Sequence, residues 1–269
     1  MRILGLLFLL AAGALAQDQR VVSGRPLLEV ANKLEAKWAT PIHYEEPVWT
    51  EQDAAADTPG PRQRTATLPA SVYVNQGRAR DIEHLRGVVA SFNASNADLS
   101  YELMQRPAGF VLVPAKRGQS VVQLAATSRT VLDEHISVPI AARAPYDHLV
   151  AIASALSTKL NFTVDASSPL LMGFDRLFGD ADGGSLTWGT PAMVSARDAL
   201  MSLLEKSSTT MSWKLNCQPP SKTDKAFCVL NVGPLLVESR DELGKTAMVP
   251  LQHDRCQRCP SRIAPPAPK

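Results

Sequence analysis

The stretch SARDALMSLLEKSSTTMSWKLNC, residues 195–217, decides how the chain is read. Ala196, Ala199, Leu200, Leu203 and Leu204 recur on one side of a 3.6-residue period, which predicts an amphipathic helix. Ser195 stands at its N-cap position, and Asp198 three residues on is an acid able to reach back. Residues 211–217 then read as a strand that turns through QPPSKTDK into a second strand, AFCVLNV. If Cys217 faces Cys228, Leu215 faces Leu230 and Trp213 faces Val232, so a single register collects the apolar residues on one face. That register predicts a Cys217–Cys228 disulfide.

A looser copy stands upstream in RARDIEHLRGVVASFNASNADLSYEL, residues 78–103. There Ile82, Leu85, Val89 and Phe92 form the helical stripe, and residues 99–104 turn through 106–109 into FVLVP. Ahead of each copy lies another matched pair. Leu27, Val30, Ala31, Leu34 and Trp38 are spaced like Leu149, Ile152, Ala153, Leu156 and Leu160. The first stripe ends at Thr40-Pro41 and is followed by Ile42 and Tyr44 alternating with His43 and Glu45, the pattern of a half-buried strand; after the second, Phe162 and Val164 alternate with Thr163 and Asp165. Short strands are expected before the helices, at Val21-Val22, around Thr67 and Leu68, at 136–138 and at 186–188.

The expectation is an α/β (α+β) chain of two tandem small modules, each with two helices packed on short strands and a terminal hairpin. Leu27 aligns with Leu149, Ala79 with Ala196 and Ser100 with Ser212. Supersecondary order repeated in this way reads as duplication of one fold. The first module covers 17–115, with 51–64 (Pro, Gly, Ala and charge without periodicity) as a mobile loop. Residues 116–134 link it to a second module at 135–235, and 236–269 form a Pro- and Arg-rich tail.

Residues 1–16, MRILGLLFLLAAGALA, combine one early Arg, an apolar run and an Ala-Leu-Ala ending, the grammar of a cleaved signal peptide. The apolar run is short of the roughly 20 residues a spanning helix needs, and nothing downstream reads as a span. The whole chain of 269 residues has a formal net charge of +2, too little for a phosphate-neutralising surface, so nucleic acid is not an expected partner. In an exported chain the four Cys default to disulfides.

The words Arg25-Pro26-Leu27, Ile42-His43-Tyr44-Glu45, and Ala199-Leu200 with Leu203-Leu204 carry a resemblance to the short secretin and TonB N-terminal (STN-like) domain of bacterial envelope proteins, in two diverged copies. The resemblance implies a periplasmic or extracellular, non-enzymatic domain that binds a protein partner in the envelope. That family's domain normally precedes a β-barrel, whereas no run of alternating strands follows Cys259, and the connector within each module is longer than a compact copy needs.

Candidate chemistry is sparse. Cys256-Gln-Arg-Cys259 has the spacing of a redox motif and supports the alternative of a thiol oxidoreductase or other secreted enzyme, but a reactive thiolate needs a helix N-terminus that this Pro-rich context does not provide. A four-Cys zinc site formed with Cys217 and Cys228 is a further alternative, and a local Cys256–Cys259 disulfide the plainer one. Asp180 and Asp182 in GDADGGS lack the distant bidentate acid of a calcium loop and read as a surface turn. Asn93 and Asn161 begin glycosylation sequons. No cofactor motif is present, no catalytic residue is assigned and no metal is expected. For partner binding, Val229 and Asn231 are placed on the outer side of the second hairpin, where a partner strand could extend the sheet.

Overall fold

The computed structural model describes residues 19–48, 64–68, 82–96, 99–115, 130–168, 173–178, 184–218, 225–240 and 244–252. The expected leader 1–16, and Asp180 and Asp182, lie outside them. The class is α+β: among the described residues there are four α-helices with strands in mixed sheets. In chain order the first half contributes β1 (Gln19–Ser23), α1 (Pro26–Trp38), β2 (Ile42–Glu45), β3 (Arg64–Leu68), α2 (Ile82–Ser95), β4 (Ser100–Arg106) and β5 (Gly109–Ala115). After a 3-10 turn at Val131–Asp133, the second half contributes β6 (His135–Ile136), β7 (Ala141–Arg143), α3 (Pro145–Leu160), β8 (Thr163–Ser167), β9 (Leu186–Trp188), β10 (Val194–Ser195), α4 (Ala196–Leu204), β11 (Met211–Gln218) and β12 (Phe227–Pro234). A last hairpin, β13 (Leu236–Arg240) and β14 (Thr246–Pro250), follows.

Local signals explain the helix ends. Both α1 and α3 begin with Pro in the first turn, where its missing N–H loses nothing. Both stop on a residue in the left-handed region, Ala39 at φ 49° and Asn161 at φ 56°. The Ser195 side chain caps α4 by accepting from the Asp198 N–H at 3.0 Å.

The halves do not form two separate sheets. One six-stranded sheet runs in the order β4-β5-β2-β11-β12-β8. Ile42 pairs with Phe110, and Phe110 with Gln105; Val164 pairs with Cys228, and Cys228 with Cys217. Two positions on, Tyr44, Leu112 and Leu103 form a row matched by Ala166, Leu230 and Leu215. Each half thus has the same order, hairpin and then the parallel strand that follows its first helix. The halves meet where β2 runs parallel to β11, with Tyr44 beside Lys214 and Glu45 beside Leu215.

Their helices lie on opposite faces of this sheet. Successive strand residues point to opposite sides: Tyr44 stacks toward Tyr101, which meets Phe92 of α2 edge-on, whereas Glu45 receives Arg197 of α4. β2 is therefore covered on both sides. This corrects the half-buried strand expected from the alternation at 42–45, since all four residues are buried.

Other boundaries shift as well. Arg64, assigned to a mobile loop, is the buried first residue of β3, paired with Ser23; residues 51–63 lie outside the described residues. Of the expected linker, 116–129 lie outside them, and Thr130 to Glu134 are packed around the buried turn of Val131 and Leu132. The expected tail at 236–269 opens with β13 and β14, which pair antiparallel with Val237 opposite Val249. Ala79, expected to align with Ala196, lies outside the described residues; within them Leu85, Val88, Val89 and Phe92 are buried in α2 with the spacing that Ala196, Ala199, Leu200 and Leu203 have in α4.

Candidate functional site

Three buried charged clusters stitch the halves along the seam. Arg197 donates from Nε to Glu45 Oε1 at 2.5 Å, from Nη2 to Glu45 Oε2 at 2.7 Å and from Nη1 to Asp133 Oδ1 at 2.6 Å. Thr130 Oγ1 adds a bond to Glu45 Oε2 at 2.7 Å. Arg25 holds Glu46 by its Nε at 2.9 and 3.0 Å, and the Cys217 N–H donates to the same carboxylate at 2.8 Å. Burial pushes the Glu46 carboxyl above its usual value, and the Arg25 contact opposes that rise. Lys214 Nζ reaches Glu35 at 3.0 Å and the Ile42 carbonyl. Burial lowers the Lys214 ammonium pKa, with Glu35 acting the other way.

Between these clusters, His43 of β2 and Trp213 of β11 stack face to face, ring centres 3.5 Å apart and planes 8° from parallel. The Trp213 backbone N–H donates to His43 Nδ1 at 3.3 Å. Burial, then the nearby Lys214 charge, holds the imidazole well below its usual pKa, so it is neutral. With Nδ1 accepting, the ring proton belongs on Nε2.

The stacked pair lines a groove of about 660 Å³ where the N-terminal ends of β2 and β11 meet the β4–β5 turn and the end of α4. Pro41, Ala108, Phe110, Met201, Leu204 and Leu251 supply apolar wall. Gly109 shapes one side: at φ 153° a Cβ there would lie 2.3 Å from the Pro41 carbonyl oxygen, which instead accepts from the Phe110 N–H at 2.9 Å. Three buried nitrogens on lining residues, His43 Nε2, Arg106 Nε and Trp213 Nε1, have no hydrogen-bond partner among the described residues. Such groups are uncommon in folded proteins and call for an occupant or a reason.

The predicted site residues fall elsewhere. Cys217 and Cys228 form a disulfide at adjacent strand positions, Cα atoms 4.0 Å apart, which removes both from any zinc set. Cys256 and Cys259 lie outside the described residues. Val229 and Asn231 are not at an edge: β12 is an inner strand, with Val229 paired to Asn216 on one side and to Asp165 on the other. Their side chains are half-buried on the face opposite buried Leu230 and Val232, so no backbone there is left to extend. The edge strands β4 and β8 are partly closed by their own helices. Asn93 bonds the Tyr101 N–H and carbonyl at 2.8 and 2.9 Å, and Ser157 does the same for Val164 at 2.8 and 3.0 Å. Both sequon asparagines thus have structural work, Asn93 at this edge and Asn161 as a helix terminus.

Sequence reasoning missed His43, Glu45, Arg106, Arg197 and Trp213 as a set. The available signals were a His and a Glu inside an apolar strand and a cation in the first turn of α4, where the helix dipole disfavours it. Among the described residues no group of His, Cys, Asp and Glu is placed to hold a metal ion, and no helix is long and apolar enough to cross a membrane. No family model, no curated protein and no solved structure matches the chain.

Proposed function

We propose that the chain is an exported, non-enzymatic binding (adaptor) protein of the bacterial envelope, built from two related halves, whose binding place is the groove at their seam. The observation that carries this reading is the groove itself: its volume is in the usual range for ligand sites, apolar and polar side chains line it in nearly equal measure, and His43, Arg106 and Trp213 beside it each hold a buried nitrogen with no hydrogen-bond partner among the described residues. The matched strand rows and the shared left-handed ends of α1 and α3 support duplication. The disulfide agrees with an oxidising compartment, and the STN-like words agree with a partner in the envelope.

Site-specific photocrosslinking in the producing cell tests this. Ala108 is exposed on the groove rim, and Asp165 is exposed on β8, away from it. A crosslinker at Ala108 is expected to give an adduct of discrete mass that is absent from Asp165 and lost when Met201→Trp fills the groove. No adduct at Ala108, or one indifferent to the filling, would sink the reading.

A further inference from the structure

The two outer edges of the six-stranded sheet are not closed alike. At β8 the Ser157 hydroxyl takes both the N–H and the carbonyl of Val164, at 2.8 and 3.0 Å, and the Tyr146 hydroxyl donates to the Ala166 carbonyl at 2.9 Å. At β4 the Asn93 amide closes Tyr101 alone, at 2.8 and 2.9 Å. Tyr101 stands opposite Pro114, which has no N–H, and turns both of its backbone groups away from β5. Residues along an antiparallel pair alternate in this respect, so Leu103 and Gln105 also turn theirs away. The N–H and C=O groups of these two residues therefore face outward from the last strand of the sheet, and among the described residues nothing bonds to them. Open edge backbone is a template for an added strand, and proteins usually blunt it.

Between the capped Tyr101 and Pro107 of the turn, the open stretch reads Glu102-Leu103-Met104-Gln105-Arg106. Laid antiparallel against a second copy of itself about Met104, it sets Leu103 opposite Gln105 twice, which pairs every outward N–H and C=O of both copies. The same register sets Met104 opposite Met104 and Glu102 opposite Arg106, again twice. Opposite charges facing each other across two strands stabilise the pair, and like charges destabilise it. Moving the two-fold to Leu103 sets Gln105 against the capped Tyr101, and moving it to Gln105 sets Leu103 against Pro107; both shifts part Glu102 from Arg106. In the favoured register the ladder ends where Tyr101, already capped, meets Pro107, which has no N–H to give. Glu102 is exposed, and Arg106, one-third exposed, has no ion pair among the described residues closer than Asp198 at 3.8 Å.

We infer that β4 is a dimer edge: a second copy of this chain adds its own β4 antiparallel, two-fold about Met104, and joins the two six-stranded sheets into one. The occupant is the chain itself, so the inference stands apart from the groove and its partner. Main-chain bonds and two charge pairs over so short a stretch make a weak dimer, with a dissociation constant on the order of 10 µM.

The test is sedimentation velocity of the exported, disulfide-intact chain from well below to well above that concentration, where monomer is expected to pass to dimer and to nothing larger. Glu102→Arg brings two cations together at each end of the register and Arg106→Glu two anions, so each variant alone is expected to dimerise at least about tenfold more weakly. An equimolar mixture of the two variants is expected to recover the dimer, because every facing position then carries the complementary charge. Structural damage within either variant would not be repaired by mixing. Leu103→Pro removes an outward N–H, a change that edge strands tolerate, and is expected to weaken the dimer without any change of charge. Asp165→Arg, at an exposed position of the closed β8 edge, is expected to leave it intact. Circular dichroism verifies folding; where Arg106→Glu does not fold, Glu102→Arg and Leu103→Pro decide. A monomer at every concentration, a dimer indifferent to Glu102→Arg and Leu103→Pro, a mixture no better than its components, or a dimer lost with Asp165→Arg would overturn the inference.

Discussion

Arg197→Met is the substitution whose cost the structure defines most closely. The guanidinium is 4% exposed and makes four bonds, two to Glu45 and one each to Asp133 and Thr130. Met keeps much of the volume but leaves the Glu45 carboxylate, itself 0% exposed, with only Thr130 and no counter-charge among the described residues. Breaking a buried pair from one side costs about 3–5 kcal/mol, because the remaining charge stays desolvated. Against a total stability of about 5–15 kcal/mol, that is a large fraction. At about 2–4 °C per kcal/mol for a chain near this size, the melting temperature should fall by roughly 6–20 °C. Urea unfolding followed by Trp fluorescence gives the number. Pairing Arg197→Met with Glu45→Leu should recover most of it, since an apolar replacement of a whole buried pair is often neutral. As a control, Arg86→Ala at an exposed pair with Glu83 should shift stability by less than about 1 kcal/mol. A single-variant cost below about 1 kcal/mol, or no recovery in the double variant, would refute the claim that this ion pair locks the two halves together.

Three further outcomes follow from the same seam and its hairpins. Cys217→Ser with Cys228→Ser opens a bridge spanning 11 positions and should lower stability by about 2–3 kcal/mol in urea unfolding, with no reductant sensitivity left. Gly109→Ala meets the Pro41 carbonyl at 2.3 Å with φ at 153°, and should cost about 1–3 kcal/mol by thermal unfolding. His43 is held neutral below the usual imidazole value of 6.5. The unfolded chain therefore takes up a proton as pH falls through 6.5 while the folded chain does not, and stability declines by up to about 1.4 kcal/mol per pH unit. Measured between pH 7.5 and 5.5, His43→Phe should flatten this slope; an unchanged slope would assign the acid sensitivity to another group.

What was legible in the sequence was local. The stripes of α1, α3 and α4, the Ser195 cap and the Cys217–Cys228 register are set by periodicity and by short-range pairing, and they stand where the residues placed them. What was not legible depends on how the halves meet. Alternation at 42–45 reads as one wet face, because nothing local reveals that α4 covers His43 and Glu45 from the other half. Val229 reads as an outer strand residue for the same reason: which strand is inner is decided by the β12–β8 pairing, between segments far apart in the chain. The groove inherits this difficulty, since His43, Arg106 and Trp213 come from three strands and only the β2–β11 junction and the neighbouring hairpin turn bring them together.

The central claim, that the groove at the seam is a binding site, is tested most directly on the Trp213 indole N–H beside it. The chain has four Trp, so a nitrogen-15 spectrum of the indole groups should show four signals, with that of Trp213 identified by its loss in Trp213→Phe. In the free protein this proton should resonate upfield, as an unbonded indole does. Adding the partner that the Ala108 crosslinker captures should shift it in a saturable way while the indole of Trp188, in the second half and absent from the groove, stays in place. A Trp213 signal that remains fixed while that partner binds would contradict the account.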